Sequence, residues 1–324
     1  MKTTAIAPSN IAFIKYWGKR DEKLRLPTNS SISMNLSHLF TTTTVEFSQQ
    51  YRQDTVVIDG TNERREAERV VGFLDQVRHR SGSASFARVE SVNNFDKSAG
   101  LASSASGFAA LTVAATSAAG LMLSEKELSI MARLGSGSAC RSIPAGFVEW
   151  KKGRSSATSY AETLFPADHW RLLDIAVMVG AGAKKIPTSA GQRLVWTSPF
   201  FRTRLAGMDN KNTRLKSYIK TRDFPRFGEL IETEALELHT VMMTSAPPLF
   251  YWSPKTVEII QAVWRWRQEG LPVYFTIDAG ASVHLICQPT GQIAVKTKLK
   301  QIGLINYVVN YPTGGTRLTD HHLF

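Results

Sequence analysis

The chain has 324 residues, of which 43% are hydrophobic, and this is typical of a globular protein with one large domain or two medium ones. Its two cysteines, Cys140 and Cys287, form neither a disulfide framework nor a CxxC metal motif, so we expect a reducing, cytosolic compartment. The net charge of +12 is scattered along the chain without a basic run, which favours anionic small molecules over nucleic acid as partners. No signal peptide and no membrane-spanning apolar stretch is expected.

The predicted elements mix strands and helices without regular alternation. In the first half, apolar and β-branched runs predict strands near 40–48, 56–60, 86–95, 147–150 and 172–180, and helical spacing predicts helices near 62–80, 98–120 and 125–134. In the second half, helices are predicted near 212–243, 254–269 and 290–302. Strands are predicted on both sides of Asp278 and near 305–311, followed by a polar tail. This order predicts an α+β fold with a domain boundary near residue 182.

The segment from Ser98 to Ala110 combines a glycine and a row of serines with the start of an alanine-rich helix. Free backbone N–H groups and the positive end of the helix dipole bind phosphate at such a position. Small side chains also let phosphate oxygens approach the backbone closely. By composition alone, a small-residue helix packed against a sheet fits the segment equally well, and the Walker A and Rossmann motifs are absent.

A second loop, Gly135 to Ser142, contains two glycines, three serines and Arg141. Arginine pairs with a carboxylate or phosphate through two parallel hydrogen bonds, so this loop is a candidate anion site. A surface loop with a solvated arginine is the alternative.

Two further segments carry charged side chains in unusual settings. Lys15 and Lys19 lie close to Tyr16 and Trp17, an arrangement that fits either an anion pocket or an edge strand whose lysines reach into solvent. Asp278 ends an apolar strand before a glycine turn. Because an unpartnered buried charge is costly, we expect this carboxylate to meet a cation or a hydroxyl, unless it only caps the turn.

The remaining polar candidates carry no chemistry by spacing. His239 and His284 have no second ligand at a metal-binding distance in the sequence, and we interpret both as ordinary polar residues. No metal site made by protein ligands alone is predicted.

Together these segments resemble the mevalonate diphosphate decarboxylase family of the GHMP kinase superfamily. The resemblance is carried by SNIAFIKYWGK, NSSISMNL, AGLASSASGFAAL, GSGSACRS followed by GFVEW, the APP segment at 246–248 and the IDAG turn, in that order along almost the whole chain. One such motif alone is weakly specific, whereas the ordered set is highly specific.

The resemblance implies a two-domain GHMP kinase fold with an S5-like ATP-binding domain over 1–182 and a ferredoxin-like domain over 183–324. The active site is expected in the cleft between them. The implied reaction uses ATP and Mg²⁺, which is held through the ATP phosphates: the C3 hydroxyl of a phosphorylated mevalonate is phosphorylated, and phosphate and carbon dioxide then leave. A homodimer is also implied.

The same resemblance assigns expected roles to individual residues. Asp278 is the expected catalytic aspartate beside the C3 hydroxyl, and Lys15 is the expected lysine next to it. The expected substrate contacts are Asn10 and Arg141 at the carboxylate, Tyr16 and Lys19 at the 5-phosphate end, Ser136 and Ser138 in the second loop, and Ser189. The expected ATP-binding residues are Gly100, Ser103, Ser104 and Ser106.

Three departures from the family pattern bear on the substrate. Ser189 stands at an arginine position in a phosphate-holding segment, Asp96-Lys97 replaces Pro-Thr, and DAGPN becomes DAGAS at 278–282. Because the lost arginine would weaken the grip on an outer phosphate, the sequence favours mevalonate 5-phosphate as substrate and isopentenyl phosphate as product. The 5-diphosphate is the alternative, followed by a kinase that does not decarboxylate and by a nucleic-acid-binding protein on an S5-like fold.

Overall fold

The computed structural model describes residues 1–95, 103–179 and 188–324. Its first sheet has seven strands. Five of them are neighbours in the order Arg317–Thr319, Lys2–Ile14, Ser31–Ser48, Phe86–Asn93 and Thr55–Ile58, and Phe147–Trp150 pairs with both Ser31–Ser48 and Ala161–Phe165. The elements of this half are β1 Lys2–Ile14, β2 Lys19–Asp21, β3 Leu26–Pro27, β4 Ser31–Ser48, β5 Thr55–Ile58, α1 Arg64–Ser81, β6 Phe86–Asn93, α2 Ser103–Ala118, α3 Glu125–Gly135, β7 Phe147–Trp150 and β8 Ala161–Phe165.

The second half is built on a four-stranded antiparallel sheet in the order β10-β11-β9-β12. Its elements are β9 Leu173–Val177, α4 Thr188–Gly191, α5 Phe201–Thr221, α6 Phe224–Met243, α7 Pro254–Gln268, β10 Val273–Thr276, β11 Val283–Cys287, α8 Gln292–Gln301 and β12 Tyr307–Asn310, and the chain ends with β13 Arg317–Thr319. Segregated helices on mixed and antiparallel sheets make this an α+β fold, as predicted.

Local sequence explains where the main helices begin. Ser124 caps α3 through a capping box with Glu127, as the sequence predicts. Ser253 opens α7 with the same kind of box, and Asp223 accepts a hydrogen bond from Arg226 N at the start of α6. Helix α2 is buried on almost all sides, and its small side chains allow it to lie close to β1 and β4.

The two halves are joined at the end of the chain. Strand β13 pairs with β1, with Thr319 opposite Thr4, and the His322 ring lies 2.6 Å from the Thr4 hydroxyl. The polar tail expected from the sequence is therefore a strand of the first sheet. Conversely, β9 lies before residue 182 in the chain and belongs to the second sheet.

Other differences have local physical causes. The helix expected over 212–243 is two helices, because Arg222 adopts a left-handed conformation (φ 56°) and Asp223 then starts α6. Strand β1 pairs with β13 only over Thr4–Ile6, and its last residues, 10–14, pair with β4 alone. The expectation that Lys15 and Lys19 reach into solvent was wrong, because both side chains are buried. The expected phosphate loop falls partly on residues 96–102, so Gly100 lies outside the described residues, as do the Asp96-Lys97 departure and residues 180–187.

Candidate active site

A buried ion pair lies between the two halves. Lys15 directly follows β1, and its Nζ atom lies 2.6 Å from Asp278 Oδ1, in the turn after β10. The Lys15 side chain is 2% exposed and that of Asp278 is 32% exposed, so the carboxylate is partly open to solvent whereas the lysine is enclosed. Burial alone would raise the pKa of Asp278, but the charge and hydrogen bond of Lys15 hold that pKa below its ordinary value. Asp278 is therefore ionised at neutral pH.

The main chain at Lys15 is held by the second half of the molecule. Glu234 on α6 accepts a hydrogen bond from Lys15 N at 3.1 Å, and Arg204 on α5 donates to Lys15 O at 3.3 Å. Arg204 and Glu234 also form a buried ion pair with each other. On the other side, the Asn29 amide donates to Lys15 O at 3.0 Å. These contacts fix the lysine relative to Asp278, because they tie its backbone to the half that carries the aspartate.

The turn that carries Asp278 is supported by His239 on α6. His239 Nε2 lies 3.1 Å from the Asp278 carbonyl oxygen, and its ring packs against Trp252 at 4.8 Å between centroids. Burial, with a smaller effect from the charge of Lys15, lowers the pKa of His239 to about 3. The ring is therefore neutral at physiological pH, and it holds the carbonyl as an Nε2–H donor.

Asn10 and Arg141 form a second buried polar pair. Arg141 donates through Nε and Nη2 to Asn10 Oδ1 at 3.3 and 3.2 Å, and through Nη1 to Ser31 Oγ at 2.9 Å. Asn10 donates in turn to Ser142 Oγ at 2.8 Å. Burial lowers the pKa of Arg141, and the negative charge of Asp278 is among the influences that raise it again. The guanidinium is therefore close enough to the carboxylate for their charges to interact. This pair is suited to hold a carboxylate.

Tyr16 and Lys19 both follow β1 in the chain. The Tyr16 ring packs edge-on against Trp150 at 4.6 Å, and its hydroxyl is buried with no hydrogen-bond partner among the residues that the structure describes. A Cβ atom at Gly137 would come within 2.7 Å of the Tyr16 ring, so glycine is required there. The Lys19 ammonium lies 2.8 Å from Glu22 Oε2, and Arg193 Nε lies 3.5 Å from the same oxygen.

The serine loops meet where α2 begins. Ser104 Oγ lies 3.3 Å from Ser136 Oγ, and the Ser138 carbonyl accepts a hydrogen bond from Asn10 Nδ2 at 3.3 Å. Ser106 differs from its expected role, because its side chain is fully buried and accepts a hydrogen bond from Thr41. Ser106 therefore packs beneath the helix start. Among the expected ATP-binding residues that the structure describes, Ser103 and Ser104 are the candidates for direct phosphate contact. Ser189 is exposed on the four-residue helix α4.

An open pocket of about 590 Å³, counting the solvent at its mouth, borders the start of α2. Its apolar wall includes Phe108, whose ring lies 5.0 Å from the Arg69 guanidinium carbon. The other lining residues are Thr43, Ile58, Glu66, Val70, Val89, Ser91, Asn93, Ser103, Ser104, Gly107 and Leu111.

Protein metal ligands do not cluster in the described ranges: no group of three His, Cys, Asp or Glu side chains is placed to hold an ion. The hydroxyls of Ser104 and Ser136 offer oxygen donors, which fit a Mg²⁺ ion that also takes phosphate oxygens. Among the described helices, none is long and apolar enough to cross a membrane.

Sequence reasoning missed four residues of this site: Glu22, Arg204, Glu234 and His239. His239 was interpreted as an ordinary polar residue, and nothing in its spacing relates it to Asp278. Arg204 and Glu234 meet Lys15 only through tertiary packing. Glu22 was detectable, because it lies three residues after Lys19.

Fold and site together indicate the class of protein: an enzyme with two α+β halves, a buried lysine–aspartate pair between them and a serine-lined helix start that is a candidate phosphate site. A family model described as the diphosphomevalonate decarboxylase-like N-terminal domain matches residues 7–161. A second, described as the mevalonate 5-diphosphate decarboxylase C-terminal domain, matches residues 175–307. The chain therefore belongs to the diphosphomevalonate decarboxylase family of the GHMP kinase superfamily, as its resemblance predicts.

Individual relatives agree over almost the whole chain. Diphosphomevalonate decarboxylase of Candida albicans is 36% identical over 95% of this chain and 92% of its own length, and the Homo sapiens protein is 37% identical over 86% and 74%. The structure of the Enterococcus faecalis mevalonate diphosphate decarboxylase superposes with a TM-score of 0.92 at 38% identity, covering 99% of both chains. A structure of MDDEF in complex with MVAPP, AMPPCP and magnesium superposes with a TM-score of 0.94 at 40% identity, again over 99% of both chains.

Proposed function

We propose that the protein decarboxylates mevalonate 5-diphosphate in an ATP- and Mg²⁺-dependent reaction that forms isopentenyl diphosphate, a step of isoprenoid biosynthesis. The observation that carries the proposal is the buried Lys15–Asp278 pair beside the Asn10–Arg141 pair, one suited to a hydroxyl and the other to a carboxylate. The relatives favour the diphosphate over the monophosphate that the sequence departures favoured. The diphosphate is therefore the substrate that we propose.

The proposed chemistry begins at the tertiary hydroxyl. The ionised Asp278 accepts a hydrogen bond or the proton from the C3 hydroxyl while that oxygen attacks the γ-phosphoryl group of ATP. Lys15 keeps the carboxylate ionised and offsets negative charge that develops on the transferred group. Phosphate is a good leaving group where hydroxide is a poor one, so the C3–O bond then breaks.

Arg141 and Asn10 hold the C1 carboxylate during this step. The C1–C2 bond breaks, its electron pair forms the C2–C3 double bond, and carbon dioxide and inorganic phosphate leave together. A guanidinium held by Asn10 and Ser31 keeps the carboxylate in one orientation, so that the breaking bond stays aligned with the leaving phosphate.

The nucleotide is proposed to lie in the pocket beside α2. Its base would pack in the region of Phe108, and its phosphates would follow the helix start past Ser104 to Ser136, toward the substrate. Mg²⁺, when bound through the phosphates, neutralises part of their charge.

We propose that other cations take the place of the arginine that is missing at position 189. Ser189 is exposed. Lys19, in contrast, is nearly buried, and both Lys19 and Arg193 lie close to the carboxylate of Glu22. These two cations support binding of a diphosphate without an arginine at position 189.

Turnover with both substrates tests the proposal. The purified protein is incubated with ATP, Mg²⁺ and either mevalonate 5-diphosphate or mevalonate 5-phosphate, and both ADP and carbon dioxide are measured. We expect equal amounts of ADP and carbon dioxide, with the higher kcat/KM for the diphosphate. ADP without carbon dioxide would indicate a kinase, and the absence of both products would refute the proposal.

We further propose a division into an S5-like domain over 1–182 and a ferredoxin-like domain over 183–324. Two strands are exceptions to this division, because β9 belongs to the second sheet and β13 to the first. The separate family models, which match residues 7–161 and 175–307, support a division into two domains. A cytosolic location is proposed because Cys140 and Cys287 are both buried free thiols. A homodimer is proposed from the resemblance, and light scattering after size-exclusion chromatography would test it.

A further inference from the structure

Lys19 and Arg193, the cations at the phosphate end of the proposed site, both lie close to a carboxylate that would compete with a substrate phosphate. The Lys19 side chain is 4% exposed and lies 2.8 Å from Glu22, whose side chain is 44% exposed. Arg193, which is 70% exposed, approaches the same Glu22 oxygen at 3.5 Å. One carboxylate at the opening therefore lies between an inner and an outer cation.

The neighbouring Tyr16 marks where a ligand oxygen would enter. Its hydroxyl is buried and has no partner in the part of the chain that the structure describes, so an incoming phosphate would supply the missing hydrogen bond. The phosphate nearest C5 would contact Tyr16 and Lys19 on the inner side. A second phosphate would extend toward Arg193 and would meet Glu22 there.

We propose that Glu22 is a specificity-determining residue, which holds Lys19 and Arg193 with its carboxylate and so reduces the preference for a substrate with two phosphates over one with a single phosphate. This inference rests on the proposed function. Like charges brought together lower affinity for the more highly charged ligand, and the effect grows with the number of negative charges that approach Glu22. The inner phosphate, which Lys19 and Tyr16 contact from the opposite side, is affected less.

The test compares Glu22→Gln, which has the same shape without the charge, with Glu22→Asp, which keeps the charge. For Glu22→Gln we expect the ratio of kcat/KM for the diphosphate to that for the monophosphate to rise about tenfold, the equivalent of ~1.4 kcal/mol. The change is expected in KM, with kcat within about twofold of wild type because Glu22 does not contact the reacting atoms. Glu22→Asp is expected to keep a ratio close to that of wild type.

Glu258→Gln is the matched control. Glu258 pairs with Lys255 at 2.9 Å and with the same three-residue spacing, but on the exposed surface of α7. We expect it to leave both kcat/KM values unchanged, and thermal unfolding of every variant reports folding independently of activity.

The outcomes separate this inference from the proposed function. A wild-type protein that releases carbon dioxide from neither substrate would refute the function itself. If the wild type turns over but Glu22→Gln leaves the ratio unchanged or lowers it, the specificity role of Glu22 is refuted. A shift of the ratio in Glu22→Asp as large as that in Glu22→Gln would also overturn it, because the effect would then not depend on the charge.

Discussion

Replacement of Lys15 by methionine removes the charge of the central ion pair while it keeps a long apolar stem. In the native protein Lys15 Nζ lies 2.6 Å from Asp278, and it also donates to the Ala12 carbonyl at 2.6 Å. Loss of one preorganised charge at a developing anion typically costs ~10²–10³ in kcat. We therefore expect kcat for carbon dioxide release to fall by that factor, with a much smaller change in KM for ATP.

The pH dependence of kcat/KM in Lys15→Met tests the ion pair more specifically than kcat alone. Burial raises the pKa of Asp278 and Lys15 lowers it, so in Lys15→Met only the effect of burial and weaker distant charges remain. The pKa of Asp278 then rises, and the acid limb of the kcat/KM profile moves to higher pH. Breaking a fully buried pair costs ~3–5 kcal/mol of stability. We expect the lower end of this range, since the Asp278 side chain is 32% exposed and keeps contact with water.

The assay is carbon dioxide release between about pH 5 and pH 9, with urea unfolding to measure stability. Lys298→Met is the control, because Lys298 pairs with Glu269 at the same 2.6 Å but on the surface, where such pairs contribute ~0–1 kcal/mol. A Lys15→Met variant with wild-type kcat and an unmoved acid limb would refute the proposed role of the pair.

Substitutions at three other positions have distinct expected results. Arg141→Gln should raise KM for the mevalonate substrate about 10- to 100-fold in steady-state assays, because a charge-assisted hydrogen bond contributes ~1.5–3 kcal/mol, and unchanged KM would contradict the carboxylate grip. His239→Phe should lower kcat about tenfold, the loss of one hydrogen bond, and His239→Gln should restore much of it. The acid limb above pH 5 should not move in either variant, because the pKa of His239 is about 3. Ser104→Ala should raise KM for ATP about 3- to 10-fold and leave that for the substrate unchanged, as initial-rate measurements would report.

Much of the first half of the fold was predictable because its signals are local. The capping box at Ser124 and the apolar run of β7 at 147–150 depend on neighbouring residues only, and both lie where the sequence places them. The break between α5 and α6 was missed because it depends on a left-handed Arg222, a conformation that a non-glycine residue rarely adopts. Strand β13 was missed because its pairing with β1 joins residues more than 300 positions apart.

The site divides in the same way. The motifs identified Lys15, Asp278, Asn10 and Arg141, and the structure brings them together as two adjacent polar pairs. What motifs do not contain is the support from distant elements. The contact of His239 with the Asp278 turn arises from packing between α6 and β10, which neither residue's neighbours in the chain reveal.

The affinity for a phosphorylated substrate depends on more than one position of the chain. The absence of an arginine at position 189 suggested a lost phosphate contact, but binding depends on all the charges at that end of the site. Lys19, Glu22 and Arg193 form a connected group there, and their balance is visible only in three dimensions.

The central claim is that the C3 hydroxyl oxygen leaves as part of inorganic phosphate. Mevalonate 5-diphosphate labelled with ¹⁸O at the C3 hydroxyl is turned over with unlabelled ATP, and the released phosphate is analysed by mass spectrometry. The account predicts one ¹⁸O atom in each phosphate, because the hydroxyl oxygen becomes the bridging oxygen of the phosphorylated intermediate and departs with it. Unlabelled phosphate accompanied by carbon dioxide would contradict phosphorylation at C3, and with it the role assigned to Asp278 and Lys15.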